Sequence, residues 1–163
     1  MQATRSISTS TGLAEIFPVE AIVIGLAQRT KRGAIVELVR QLVDLGHVKS
    51  GDSPAVLESI LAREKLGSTA LYDGIAFPHC RSSCVERFVG ILGIEPDGIP
   101  FDAVSGGKVH SIFLFLAPLE RREELFEVLG RITAIGRDKS RGVQFRGCRT
   151  AEAVHHLLLD SDR

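Results

Sequence analysis

Three apolar runs sit in the middle of the chain, and helical patterns bracket them on both sides. Residues 74–78 (GIAFP), 87–94 (RFVGILGI) and 109–117 (VHSIFLFLA) are rich in apolar, β-branched or aromatic residues and are bounded by Gly, Pro and Asp. Strands read this way. Ahead of them Ile35, Leu38, Val39, Leu42 and Val43 recur at i, i+3, i+4, i+7 and i+8 and stop near Gly46, the stripe of an amphipathic helix. A second helix opens at Ser53, its expected N-cap, with Pro54 at the first helical position. It turns Leu57, Ile60 and Leu61 inward and ends before Gly67. Beyond the strands, Leu125, Val128, Leu129 and Ile132 restore the helical period from Arg122 onward. Thr150 then caps a last helix carrying Val154, Leu157 and Leu158. With the short run IVIGL at 22–26, the order is β-α-α-β-β-β-α-α, and the segment EPDGIPFDAVSGGK at 95–108 reads as a turn-rich connection. Helices at both ends and strands between them predict an α/β single-domain sandwich, a mixed central β-sheet flanked by helices on both faces.

A chain of 163 residues suits one domain with a sizeable core. Its Ser/Thr-rich start cannot offset the entropy of ordering, so residues 1–15 are expected to be a flexible arm and residues 16–163 the folded domain. Lys plus Arg equals Asp plus Glu at 20 each, which leaves no overall electrostatic case for nucleic acid or for an anionic membrane. The three cysteines, Cys80, Cys84 and Cys148, are too few and odd in number for a secreted disulfide framework. No stretch has the apolar length of a signal peptide or a membrane helix. A cytoplasmic protein without membrane insertion is the expectation.

The candidate chemistry lies in Arg63-Glu64-Lys65-Leu66-Gly67-Ser68-Thr69, followed by Asp73-Gly74-Ile75-Ala76-Phe77-Pro78-His79-Cys80. His79 directly follows a short strand, with Pro78 restricting the backbone ahead of it, and would stand at a sheet margin that partners can reach. Phosphoryl transfer to nitrogen needs a neutral imidazole with one free lone pair, and an ordinary histidine is largely neutral at cytosolic pH. Cations and donors must then surround the moving phosphoryl oxygens. Arg63, Ser68 and Thr69 are of the correct type, although Arg63 also suits the negative end of a helix dipole and either hydroxyl also suits a turn. Other constellations are weaker. Cys80 and Cys84 with His79 lack a fourth ligand at a zinc-like interval, so no metal is expected. Side chains of consecutive residues on an extended segment point to opposite faces, which disfavours a Cys80 nucleophile paired with His79. Gly106-Gly107-Lys108 precedes a strand and lacks the remaining glycine framework of a nucleotide loop. No cofactor is implied. His155-His156 on the last helix reads as a solvated or partly packed pair.

Taken together, R-E-K-L-G-S-T at 63–69 and G-I-A-F-P-H at 74–79 resemble enzyme IIA of the fructose, mannitol and nitrogen-regulatory class of the bacterial phosphotransferase system. The order of helices and strands from about residue 20 to 160 is similar too. The resemblance implies that His79 is the phosphorylated histidine, that the Arg63 guanidinium lies near its phosphoryl group, and that Thr69 lines the pocket. It also implies a histidine phosphocarrier protein as phosphoryl donor. The group would then pass to the IIB component of a fructose- or mannitol-type permease, or its presence would control binding to a regulatory target. With no IIB or membrane segment in this sequence, the regulatory version is the expectation. The sequence departs from the family pattern at Leu125, which takes the place of a second histidine. His110 is one candidate auxiliary group in its stead, and a strand histidine outside the pocket is the other reading. Tyr72 and Cys80 replace glycines and are expected to crowd the pocket. A protein-interaction module that keeps the fold without transferring phosphoryl groups is the reading from another functional class.

Overall fold

The most apolar segment of the chain becomes the spine of the sheet. In the computed structural model, which describes residues 11–72, 74–104 and 106–163, this segment is β5 (Lys108–Pro118), and every other strand except β1 pairs with it. Antiparallel β4 (Val89–Pro100) lies along one side and is itself joined in parallel by β1 (Ile22–Ile24). Along the other side, β2 (Gly74–Ala76) and β3 (His79–Ser82) follow one another, both parallel to β5. Phe77 and Pro78 interrupt that edge, and the Pro78 carbonyl accepts the Phe115 N–H at 3.1 Å. The sheet is therefore mixed.

Alternation along β5 divides the core into two layers. Ile112, Leu114 and Leu116 pack with Leu38 and Leu42 of α2 (Lys31–Asp44) and Ile60 of α3 (Ser53–Leu66). Phe113, Phe115 and Ala117 face the other way. They meet Val128 and Ile132 of α4 (Arg122–Arg137), Phe145 of α5 (Lys139–Gly147) and Val154 and Leu158 of α6 (Ala151–Ser161). Helices thus cover both faces, the sandwich that the sequence pattern predicts.

Local chemistry fixes the helix ends. Thr30 Oγ1 accepts the Gly33 N–H and Thr150 Oγ1 the Ala153 N–H, at 3.0 and 3.1 Å, each capping its helix. Ser53 does not cap α3: the N-cap position falls to Asp52, and the Ser53 hydroxyl donates to the Ser50 carbonyl at 3.0 Å.

The structure also departs from the sequence reading in the extent of one strand, in two added elements and at the N-terminus. Strand β4 continues to Pro100, so half of the expected turn-rich connection is strand; a register shift between Ile94 and Ile99 returns Ile99 to the core opposite Val109. β3 and α5 are additional elements. HCRS carries no β-branched residue, and KSRGVQFRG buries only Phe145 and Gly142, too little for a period to be read. The Asp138 carboxylate starts α5 by accepting the N–H groups of Ser140 and Arg141. Of the arm expected over residues 1–15, residues 1–10 lie outside the described residues, whereas residues 11–15 pack onto the fold. Leu13 and Ala14 of α1 (Leu13–Ile16) are buried, and their N–H groups donate to the Asp162 carboxylate at 2.8 and 2.9 Å. Residues 11–15 are therefore part of the described fold rather than of an arm.

Candidate functional site

His79 opens β3, and the break before it decides how its ring is held. Its side chain lies parallel to the Phe115 ring, 5.1 Å away and tilted by 8°, with Phe77 at 6.2 Å beyond. Nδ1 lies 2.9 Å from the Phe77 carbonyl oxygen. A carbonyl only accepts, so Nδ1 carries the proton and Nε2 keeps the lone pair. The residue is 8% exposed. Burial lowers its pKa below the ordinary histidine value; the Phe77 carbonyl opposes this, the Arg63 charge adds to it and the Glu64 charge opposes it. The ring is neutral at neutral pH.

His79 lines an open cleft of about 490 Å³ where α3, β3 and the start of α4 meet. Two arginines line it beside His79: Arg63 from the last turn of α3, and Arg81 from β3. Arg63 Nη1 also donates to the Gly67 carbonyl at 2.8 Å, so this side chain closes the helix end and lines the cleft at once. Arg81 stands two residues after His79 and therefore on the same face of the strand. Leu66, Leu119 and Leu125 supply apolar wall. Leu66 is 86% exposed and Leu119 45%, a surface suited to a protein partner. A larger cavity of about 720 Å³, lined by Leu57, Glu58, Leu61 and neighbouring residues of α3, contains no histidine or cysteine and offers no comparable chemistry.

The other sequence candidates divide between cleft and scaffold. Thr69 does not line the cleft. It is fully buried, donates its hydroxyl to Glu64 Oε2 and accepts the Phe77 N–H at 3.2 Å. Ser68 shapes the turn, donating to the Phe101 carbonyl and accepting the Ala70 N–H, both at 3.0 Å. His110 occupies a different recess, with Lys108, Asp138, Lys139 and Arg146 around it. It lies five residues along β5 from Phe115, the pairing partner of His79, or about 17 Å at strand spacing, so it cannot replace a second histidine there. Leu125 fills both roles considered for it, lining the cleft while packing at 9% exposure against the α4 layer of the core. Cys80 lines the cleft too, yet it packs in the opposite core layer and burial pushes its thiol pKa up to about 12, so it is no nucleophile. Tyr72 lies away from the cleft, against Gly136 and under Arg137, and does not crowd it. Among the described residues no group of three or more metal-ligating side chains gathers, and no helix is long and apolar enough to cross a membrane. Arg81 escapes the sequence reading because that reading ends the strand at Pro78; the i, i+2 spacing from His79 is the signal that was available.

Comparison with known proteins bears on family and fold. The model of the phosphoenolpyruvate-dependent sugar phosphotransferase system EIIA 2 family matches residues 15–161. A nitrogen regulatory protein of Bradyrhizobium diazoefficiens is 32% identical over 139 residues, covering 85% of this chain and 89% of its own. The fructose-specific EIIA component of Haloferax volcanii is 30% identical, covering 76% and 79%. The crystal structure of the nitrogen regulatory protein IIA-Ntr from Neisseria meningitidis superposes with a TM-score of 0.80 at 31% identity, covering 89% of this chain and 97% of that one. With the family match spanning nearly the whole folded body and the fold shared with a solved relative, the chain belongs to the EIIA 2 family of phosphotransferase-system components.

Proposed function

We propose that this chain is a phosphocarrier that accepts a phosphoryl group on Nε2 of His79 from a histidine phosphocarrier protein. The observation that carries the reading is a neutral imidazole, its Nδ1–H donated to the Phe77 carbonyl, in a cleft lined by two arginines. In the transfer, the Nε2 lone pair attacks phosphorus as the donor's N–P bond breaks, and the electron pair of that bond returns to the donor's ring. Nδ1 keeps its proton throughout. The phosphorylated ring gains positive character, which the Phe77 carbonyl stabilises, while Arg63 and Arg81 face the phosphoryl oxygens. Bidentate guanidinium groups match that geometry, and their fixed charge needs no reorganisation as the group moves.

Incubation with phosphorylated histidine phosphocarrier protein is expected to add one acid-labile, base-stable phosphoryl group, absent from a folded His79→Ala variant. A folded wild-type protein that takes up no label is the non-transferring interaction module instead. Similarity to nitrogen regulatory proteins at 32% identity favours a regulatory role, in which the phosphorylation state controls a protein target. The fructose-specific relative at 30% supports the transport reading. Onward transfer from the phosphorylated chain to a fructose- or mannitol-type IIB component would establish transport; its failure, alongside normal acceptance, supports regulation.

A further inference from the structure

We propose that Glu64 is a positioning residue for His79, acting through Thr69 and the Phe77 backbone to leave Nε2 as the nucleophilic nitrogen; the consequence for transfer rests on the phosphocarrier reading above.

Phe77 sits in the gap between β2 and β3. Its N–H is buried there, and such a group costs free energy unless a partner is found. Thr69 Oγ1 is that partner, accepting the N–H at 3.2 Å. A hydroxyl has one proton, and Thr69 gives it to Glu64 Oε2, so toward Phe77 its oxygen is fixed as an acceptor. Glu64 Oε1 accepts the Thr69 N–H at 3.2 Å and receives Lys31 Nζ at 2.9 Å. Both carboxylate oxygens are thereby satisfied, and the buried charge is paired, without which it would be strongly unfavourable. Lys31 is itself held, 5.1 Å above the Phe101 ring and 3.8 Å from Asp102.

From His79 through Phe77 and Thr69 every hydrogen bond is donated toward Glu64, and Lys31 donates to the same carboxylate from the other side. The Phe77 carbonyl points at Nδ1. Anchoring the Phe77 N–H fixes one peptide plane of that residue, and its neighbouring plane presents the carbonyl to the ring. Should the hydroxyl be lost, the Phe77 N–H has no acceptor, the segment shifts to find one, and the carbonyl leaves Nδ1. The imidazole is then free to carry its proton on either nitrogen, and only the fraction with Nε2 unprotonated can attack phosphorus.

The test uses the full chain with ¹⁵N label, and reads the His79 tautomer by long-range ¹H–¹⁵N correlation at neutral pH beside the rate of phosphoryl acceptance. Wild type is expected to show the Nδ1–H form. Thr69→Val and Glu64→Gln are expected to show mixed tautomers and acceptance slowed by about 10- to 100-fold, while Thr69→Ser, which keeps the hydroxyl, retains wild-type behaviour in both. An Nε2–H ring in wild type overturns the proposal, as does a wild-type tautomer and rate in Thr69→Val. Loss of the folded spectrum in both Thr69→Val and Glu64→Gln assigns the pair to the fold rather than to the ring and also overturns it. Should wild type accept no phosphoryl group, the phosphocarrier reading fails separately, and the tautomer shift alone decides the role of Glu64.

Discussion

Arg63 and Arg81 reach one cleft from different directions, one from a helix end and one from the strand that begins with His79. Arg63→Ala is expected to slow phosphoryl acceptance by roughly 30- to 1,000-fold, the loss of one charge-assisted contact at developing charge. It should hardly move the denaturant midpoint, because the guanidinium is exposed apart from its bond to Gly67. Arg81→Ala is expected to cost on the order of 10- to 100-fold in the same assay with no loss of stability. Unchanged kinetics in either variant would return that arginine to an ordinary surface role. Leu125→His combines the two roles that the structure assigns to Leu125. A donor beside the phosphoryl group should speed acceptance by up to about 10²-fold, and a polar ring at the edge of the core should cost roughly 1–3 kcal/mol. Rate and midpoint measured on that one variant check both effects. His79 and Arg63 stood out in the sequence because a Pro-His strand end and an Arg at a helix end have local signatures. Arg81 and Glu64 did not. One becomes visible only when the strand is known to resume after Pro78, and the other through contacts that close over five residues to Thr69 and thirty-three to Lys31.

Elements with a strong period were legible, and those made by their neighbours were not. α2, α4 and α6 follow their apolar stripes, whereas β3 exists because the end of β5 offers it hydrogen bonds from Phe115 to Pro118. α1 is a similar case. Four residues cannot form a stable helix alone, and this one is held by Asp162, by the His155 contact to the Ala14 carbonyl at 3.0 Å, and by the sheet beneath it. Gly90 of β4 makes the room. A Cβ there would meet Phe17 Cε1 at 2.5 Å and Ile16 Cγ2 at 2.9 Å. Gly90→Ala is therefore expected to destabilise the protein by roughly 1–3 kcal/mol. Pairing it with Phe17→Leu should cost less than the two changes summed, because they share the same space. A double-mutant cycle in denaturant unfolding measures the coupling, and strict additivity would show that α1 does not rest on Gly90.

Across the whole molecule, acid acts first through the histidines. Burial, aided by the charge of Arg146, brings the His110 pKa from 6.5 to about 4, and burial lowers that of His79 in the same direction. Lowered histidine pKa values mean that the unfolded chain binds protons more readily, so stability is complete above the unfolded value and declines as pH falls below 6.5 toward 4. Denaturant midpoints for wild type and His110→Gln are expected to converge as pH falls through that window, the variant having the flatter profile; parallel profiles would sink the assignment. The interrupted side of the sheet carries a further consequence, in the behaviour of concentrated solutions. An open strand edge is a template on which another copy can add, and long flat edges nucleate aggregation. Here the outer strands are short: β1 has three residues, and β2 and β3 have three and four, divided by a proline with no N–H to offer. The break that aims the imidazole also stops this edge from templating the next molecule. Pro78→Ala, which restores an N–H where the two segments meet, is expected to favour a continuous strand and to raise light scattering and thioflavin binding on storage, well before any change in thermal midpoint.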